Sequence, residues 1–368
     1  MSMSNTTMAT RRLGRSDLQV SALGMGCWAI GGAMASGDQP LGYSGVDDDE
    51  ARLALERAVE RGVTLFDTAD AYGAGHSERL LAPVLAHHPE VLVATKFGNT
   101  IDEDRRQLTG RDTTPDYMRK ALEGSLRRLS RDQIELYQLH VSDVDDSQAL
   151  DLVAALEEVV AEGLVRWYGI STDDPARVDL FATGPHCTAV QLQLNVFDDN
   201  PAALAACDRH DLAALCRSPL AMGLLGGRYN ADTALPPDDI RGLAPDWLRW
   251  FTDGRPNADF LAPSMSSGTS SRGTAARLPR VRSGGSGPVI RAPSRCPGSE
   301  MWRRLKRTPQ PSNADRCPRG TTSRCKGLWA GQLTVSGAAT NPAPRRGLLT
   351  RSSRSGMSCA SQQHRKEE

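Results

Sequence analysis

Aromatic residues make up only 5% of this 368-residue chain, and every phenylalanine and tyrosine lies at or before Phe260. Beyond that point Trp302 and Trp329 are the only large rings, which leaves little material for a packed core or a base-stacking platform. Acidic residues are scarce in the same stretch. Residues 263–368 hold 4 acidic and 20 basic side chains, whereas residues 1–262 hold 40 and 24. The formal net charge of zero is therefore a cancellation of −16 in front and +16 behind, and one uniformly globular body is excluded. The acidic front argues against nucleic acid as its main partner; only the basic tail leaves that possibility standing. No apolar run is long enough to span a bilayer, and Met1 to Arg12 has no apolar stretch resembling a secretory signal. The eight cysteines include no C-x-x-C pair and match no zinc spacing, so no metal site is expected, and thiols in a reducing cytoplasm are.

What the front part does contain is alternation. Strand-like runs at Ser21–Trp28, Thr64–Asp67, Val91–Lys96, Ile134–His140, Val165–Ser171, Ala189–Asn195 and Ala213–Ser218 are separated by amphipathic or capped helical stretches. The helices carry their own punctuation. Asp47-Asp48-Asp49-Glu50 suits a helix N-terminus and Gly62 its end, Thr114-Pro115 is an N-cap with proline at the first helical position, and Gly163 stops the helix over 149–162. Strand–helix alternation of this kind predicts a parallel sheet with right-handed crossovers. Seven units with polar residues at the strand C-terminal ends predict an incomplete (β/α)8 TIM barrel over residues 1–261, with an open doubly wound sheet as the alternative. The eighth unit is not recognisable, and 262–368 reads as a disordered Arg/Ser/Gly/Pro-rich tail.

Four polar residues at or just past consecutive strand ends carry the chemistry: Asp67, Tyr72, Lys96 and His140. Singly, each has a bland role as a cap, a packed ring or a snorkelling amine. Together they form a set. A lysine ending an apolar strand needs a buried counter-charge, which Asp67 can supply. A tyrosine beside that ammonium is expected to have its pKa drawn toward neutrality and to act as a general acid, while a neutral His140 polarises a carbonyl. Gly24-Met25-Gly26-Cys27-Trp28-Ala29 fits a dinucleotide fingerprint, but some twenty residues precede the next helix, where a Rossmann unit needs the helix to begin at the glycine turn.

From about Arg12 to Phe260 the sequence resembles the aldo-keto reductase family. The likeness is carried by Arg12-Leu13-Gly14, Phe66-Asp67-Thr68-Ala69, the stretch from Leu129 through Asp132 to His140, and Ser218-Pro219-Leu220-Ala221-Met222-Gly223-Leu224-Leu225. The resemblance implies a (β/α)8 barrel that reduces aldehydes or ketones with NADP(H), with Tyr72 as proton donor beside Asp67, Lys96 and His140. It also implies that Ser171 and Gln191 hold the nicotinamide carboxamide, that Gly26 and Trp28 border the site, and that the loop from Ser218 through Leu220 and Gly223 to Leu224 lies along the pyrophosphate. Two positions depart from the family pattern: Thr172 stands where Asn is common, and Arg217 where an aromatic ring usually stacks on the nicotinamide. The partner so implied is a small carbonyl or alcohol; a catalytically impaired remnant and a non-enzymatic binding subunit on the same fold are the alternatives.

The family's eighth unit and its 2′-phosphate loop are absent as written. Reading the codons of Cys296–Pro309 from their third base permits P-G-F-R-N-V-A-Q-V-E-E-N-A, in which Met301-Trp302 forces the valine, and the same shift lets 276–283 encode T-L-A-Q-G-A-L. One shift restores two expected segments at the expected spacing. A frameshift between about Leu261 and Gly268 is the resulting expectation.

Overall fold

The computed structural model describes residues 8–261. The tail at 262–368, with its expected disorder, frameshift and missing eighth unit, lies outside the described residues. The described chain opens with an antiparallel pair, Thr10–Arg12 with Gln19–Ser21. Seven strands then form one parallel sheet: β1 (Met25–Gly26), β2 (Leu65–Asp67), β3 (Leu92–Phe97), β4 (Ile134–Leu139), β5 (Val165–Ser171), β6 (Cys187–Gln193) and β7 (Ala213–Arg217). Their spatial order follows the chain from β1 to β7. A helix crosses back between each consecutive pair: α1 (Asp48–Glu60), α2 (His76–His87), α3 (Pro115–Leu129), α4 (Asp146–Ala161), α5 (Pro175–Phe181) and α6 (Pro201–Arg209). This sequential winding is that of a (β/α)8 barrel, as expected, and not of a doubly wound sheet, whose order reverses. Among the described residues β1 pairs only with β2 and β7 only with β6, so the ring stays open on that side. No described helix is long and apolar enough to cross a membrane.

Local chemistry accounts for the helix starts. The side chains of Asp47, Thr114, Asp145, Asp174 and Asn200 each accept a backbone N–H at the head of α1, α3, α4, α5 and α6. Proline occupies the first turn of α3, α5 and α6, where its missing N–H costs nothing. Alternation along the strands then sorts the apolar residues into two layers. Phe66, Val93, Tyr137, Ile170 and Val190 face the helices, and each buried side chain of this size contributes about 1.5–3 kcal/mol. Leu65, Ala94, Leu136, Ala189 and Ala213 fill the barrel interior, where Leu13, Leu18 and Val20 of the opening hairpin close the floor.

Three local expectations change. The apolar run Ser21–Trp28 is not one strand: Ser21 ends the floor hairpin and only Met25–Gly26 joins the sheet. Residues read as loop beyond Ile30 include a short pair, Ala35–Ser36 with Gln39–Pro40. A hairpin not foreseen, Asn99–Asp102 with Gln107–Arg111, follows β3 directly. After the glycine turn only a single turn of 3-10 helix forms at Ala29–Gly31, and α1 waits until Asp48, which rules out the Rossmann geometry.

Candidate active site

Six of the seven strand ends, those of β2 to β7, each deliver one polar group to the same mouth of the barrel. Asp67 closes β2, Lys96 is the penultimate residue of β3, His140 follows β4, Ser171 closes β5, Gln191 lies two short of the end of β6, and Arg217 closes β7. Parallel register sets their depth: Gly26 lies level with Asp67, Lys96 with Gln138, and Ser171 with Gln191. Tyr72 comes from the loop after β2. That loop is tied down by Thr68 Oγ1 and Ser77 Oγ, 2.8 Å apart, and by Ser77 Oγ donating to the Cys27 carbonyl at 2.9 Å.

Lys96 is wholly buried, and its ammonium has three N–H donors. All three find oxygen: Asp67 Oδ1 at 2.8 Å, the Thr68 carbonyl at 2.7 Å and Tyr72 Oη at 3.2 Å. Tyr72 is an acceptor toward Lys96 and so keeps its own O–H as a donor. Its ring stacks on Trp28 at 6.1 Å between centroids and meets His140 edge-on at 5.6 Å. Burial pushes the Asp67 carboxyl up and the Lys96 amine down, and their mutual contact opposes both shifts.

The expected lowering of the Tyr72 pKa is not found. Burial first, and after it the Asp67 carboxylate, pushes the phenol well above its ordinary value. Tyr72 therefore holds its proton across the neutral range. His140 moves the other way: burial first, then the cations of Lys96, Arg217 and Arg111, hold the imidazole well below its ordinary value and so neutral, as expected.

The groups expected to meet a nicotinamide lie beside this cluster. Gln191 Nε2 donates to Asp67 Oδ1 at 2.9 Å, which leaves its buried Oε1 without a hydrogen-bond partner among the described residues. That orphan acceptor fits the N–H of a carboxamide. Thr172 has its hydroxyl engaged, accepting from Asp174 N at 3.1 Å. Arg217 donates to Gln193 Oε1 at 2.7 Å and pairs with Asp173, which fixes its guanidinium across the ends of β5 to β7. The loop after β7 turns through positive φ at Ser218, Ala221, Met222 and Gly223. Inside it Ala221 N donates to the Ser218 carbonyl at 2.9 Å, and Gly223 N and Leu225 N donate to Leu220 O at 3.0 and 3.1 Å. Leu224 is buried, and those three amides are spent within the loop.

Two neighbours of the site were not foreseen. Asn99 Nδ2 lies 3.3 Å from His140 Nδ1. Behind the Tyr72 loop, buried Glu78 accepts from Thr95 Oγ1 at 2.5 Å and Arg128 Nε at 2.6 Å, with Asp70 buried nearby. The polar Glu78 near the head of α2 is a signal that could have pointed there, whereas nothing in the sequence marks Asn99.

A model described as the Aldo/keto reductase family matches residues 22–263. The chain is 29% identical over 261 residues to the uncharacterized oxidoreductase YqkF of Bacillus subtilis, covering 70% of this chain and 80% of that one. It is 28% identical over 251 residues to the NADP(+) aldo-keto reductase yakc of Schizosaccharomyces pombe, covering 66% and 70%. Among solved structures it is similar to the glycerol dehydrogenase AKR11B4 from Gluconobacter oxydans, at 33% identity and a TM-score of 0.56, over 67% of this chain and 73% of that one. It is also similar to the holo form of aldo-keto reductase AKR11C1 from Bacillus halodurans, at 30% identity and 0.54, over 68% and 79%.

Proposed function

Because the chain belongs to the aldo/keto reductase family and is an oxidoreductase of that type, we propose that it reduces a small aldehyde or ketone to the alcohol at the expense of NADP(H), and runs the reverse oxidation with the same groups. The observation that carries this reading is the contact of Lys96 Nζ with both Asp67 Oδ1 at 2.8 Å and Tyr72 Oη at 3.2 Å in a buried mouth. A nicotinamide held there by these residues would supply hydride for the carbonyl carbon. Tyr72 gives its proton to the carbonyl oxygen, and the Lys96 ammonium steadies the phenolate left behind. Asp67 keeps Lys96 charged. Neutral His140 orients the oxygen, Gln191 Oε1 and Ser171 hold the carboxamide, and Trp28 and Gly26 border the substrate.

A second reading has its own support. The sheet is open between β7 and β1 among the described residues, and an open barrel edge favours a catalytically impaired remnant or a binding subunit over a working enzyme. The division at 261, the frameshift and the cytoplasmic location belong to the same proposal: an in-frame ending would supply the eighth unit and the 2′-phosphate contacts.

Two proteins separate the readings, this chain and a frame-restored version, each tested for NADPH binding by tryptophan quenching and for carbonyl reduction by NADPH absorbance. The restored protein is expected to bind at least tenfold more tightly; equal, tight binding by both would overturn the role given to the ending. In the restored protein Tyr72→Phe should lower kcat by about 10²–10⁴ while leaving NADPH binding intact. Undiminished turnover removes Tyr72 from its role.

A further inference from the structure

We propose that Asn99 is a positioning residue that fixes His140 in one tautomer, with the proton on Nε2, so that the imidazole meets a substrate oxygen as a donor. The proposal rests on the reading of His140 as the group that orients the carbonyl. Asn99 opens the hairpin after β3, three residues beyond Lys96, and its Nδ2 lies 3.3 Å from His140 Nδ1. An amide nitrogen can only donate. The Nδ1 facing it must therefore present its lone pair, and a neutral imidazole with a bare Nδ1 carries its one proton on Nε2.

Three observations support this assignment. His140 is buried and faces the cations of Lys96, Arg217 and Arg111, all of which disfavour a second proton. Its Nε2 is buried without a hydrogen-bond partner among the described residues, as a donor held ready for a ligand would be. Asn99 itself is held from two sides: Tyr117 Oη on α3 donates to its carbonyl at 2.6 Å, and it pairs with Arg111 across the hairpin. With this tautomer, His140 Nε2–H points a donor at the carbonyl oxygen of the proposed reaction. The opposite tautomer would set a nitrogen lone pair against the oxygen lone pairs.

The test is the two-bond ¹H–¹⁵N spectrum of the ligand-free full chain, with the His140 ring identified by its loss in His140→Gln. The expected result is a bare Nδ1 and a protonated Nε2. In Asn99→Asp, whose carboxylate can only accept, the Nδ1 signal is expected to move into the protonated range. In Asn99→Leu both ring nitrogens are expected to shift toward a mixture of tautomers. A protonated Nδ1 in the wild-type chain overturns the proposal, as do ring shifts unchanged in both variants. If one variant fails to fold, the wild-type spectrum and the other variant still decide. The readout is independent of turnover: an Nε2–H tautomer in an inactive protein counts against the proposed reaction, and an Nδ1–H tautomer in an active one counts against Asn99.

Discussion

Asp67→Asn isolates what the buried ion pair does for the fold. The two charges are 2.8 Å apart with side-chain exposures of 0% and 1%, so at an effective dielectric of 20 they attract by about 6 kcal/mol. Taking both out of water costs several kcal/mol each, and the pair as a whole is close to neutral for stability. Asparagine keeps the size and the Oδ1 acceptor shared by Gln191 and Lys96, but it leaves the Lys96 ammonium with only neutral oxygens, the amide's own and those of Thr68 and Tyr72. The expected loss is about 3–5 kcal/mol at pH 7, read as a lower urea midpoint by tryptophan fluorescence. The loss must also depend on pH with a defined sign. Burial already lowers Lys96, and without Asp67 its folded-state pKa falls further below the ordinary 10.5. A depressed pKa gives stability that is present above the unfolded value and lost as pH falls toward the folded one. The deficit should therefore shrink as pH rises toward 10, by up to about 1.4 kcal/mol per unit. Adding Lys96→Met should recover most of the loss. A cost below about 1 kcal/mol at pH 7, or a double variant no better than the single, would refute the reasoning.

Two further expectations follow from other parts of the molecule. His140 is held neutral well below its ordinary 6.5, so the folded state should lose up to about 1.4 kcal/mol per unit as pH falls below that value; His140→Gln should remove this loss, and a wild-type–variant difference in urea midpoint that stays constant from pH 7.5 to 5.5 would count against it. Gly14→Ala should lower the Tm by about 4–10 °C, because Gly14 has φ +53° and a Cβ there would sit 2.0 Å from the Thr188 carbonyl. Calorimetry should find the loss smaller in Gly163→Ala, where φ is also positive but nothing lies within 4 Å.

The fold was legible where hydrophobic period and capping chemistry agree. Strand β5 has the same bounds in sequence and structure, because Val165, Trp167, Tyr168 and Ile170 form a short β-branched and aromatic run that begins just after Gly163. The Gln107–Arg111 strand was not legible: it is polar, contains a glycine, and is held by pairing with Asn99–Asp102, a stretch with no strand signal of its own. At the site, Asp67, Tyr72, Lys96 and His140 could be picked out because polar groups ending apolar strands are conspicuous. The sign of the Tyr72 shift could not, since it depends first on how dry the pocket is and then on the Asp67 charge beside the phenol. Asn99 was invisible for a related reason. Its role depends on which ring nitrogen it meets across 41 residues of sequence.

The floor of the barrel also has a consequence in time. Leu13 O accepts from Thr188 Oγ1, and Arg12 pairs with Asp211, so the opening hairpin meets these partners only after 175 and 199 further residues have been made. At ribosomal rates of 5–20 residues per second this is a wait of about 10–40 s, during which Leu13, Leu18 and Val20 have no permanent cover. Contacts of such long range also slow folding itself. Once Leu215 has emerged, every described residue that closes the floor is present.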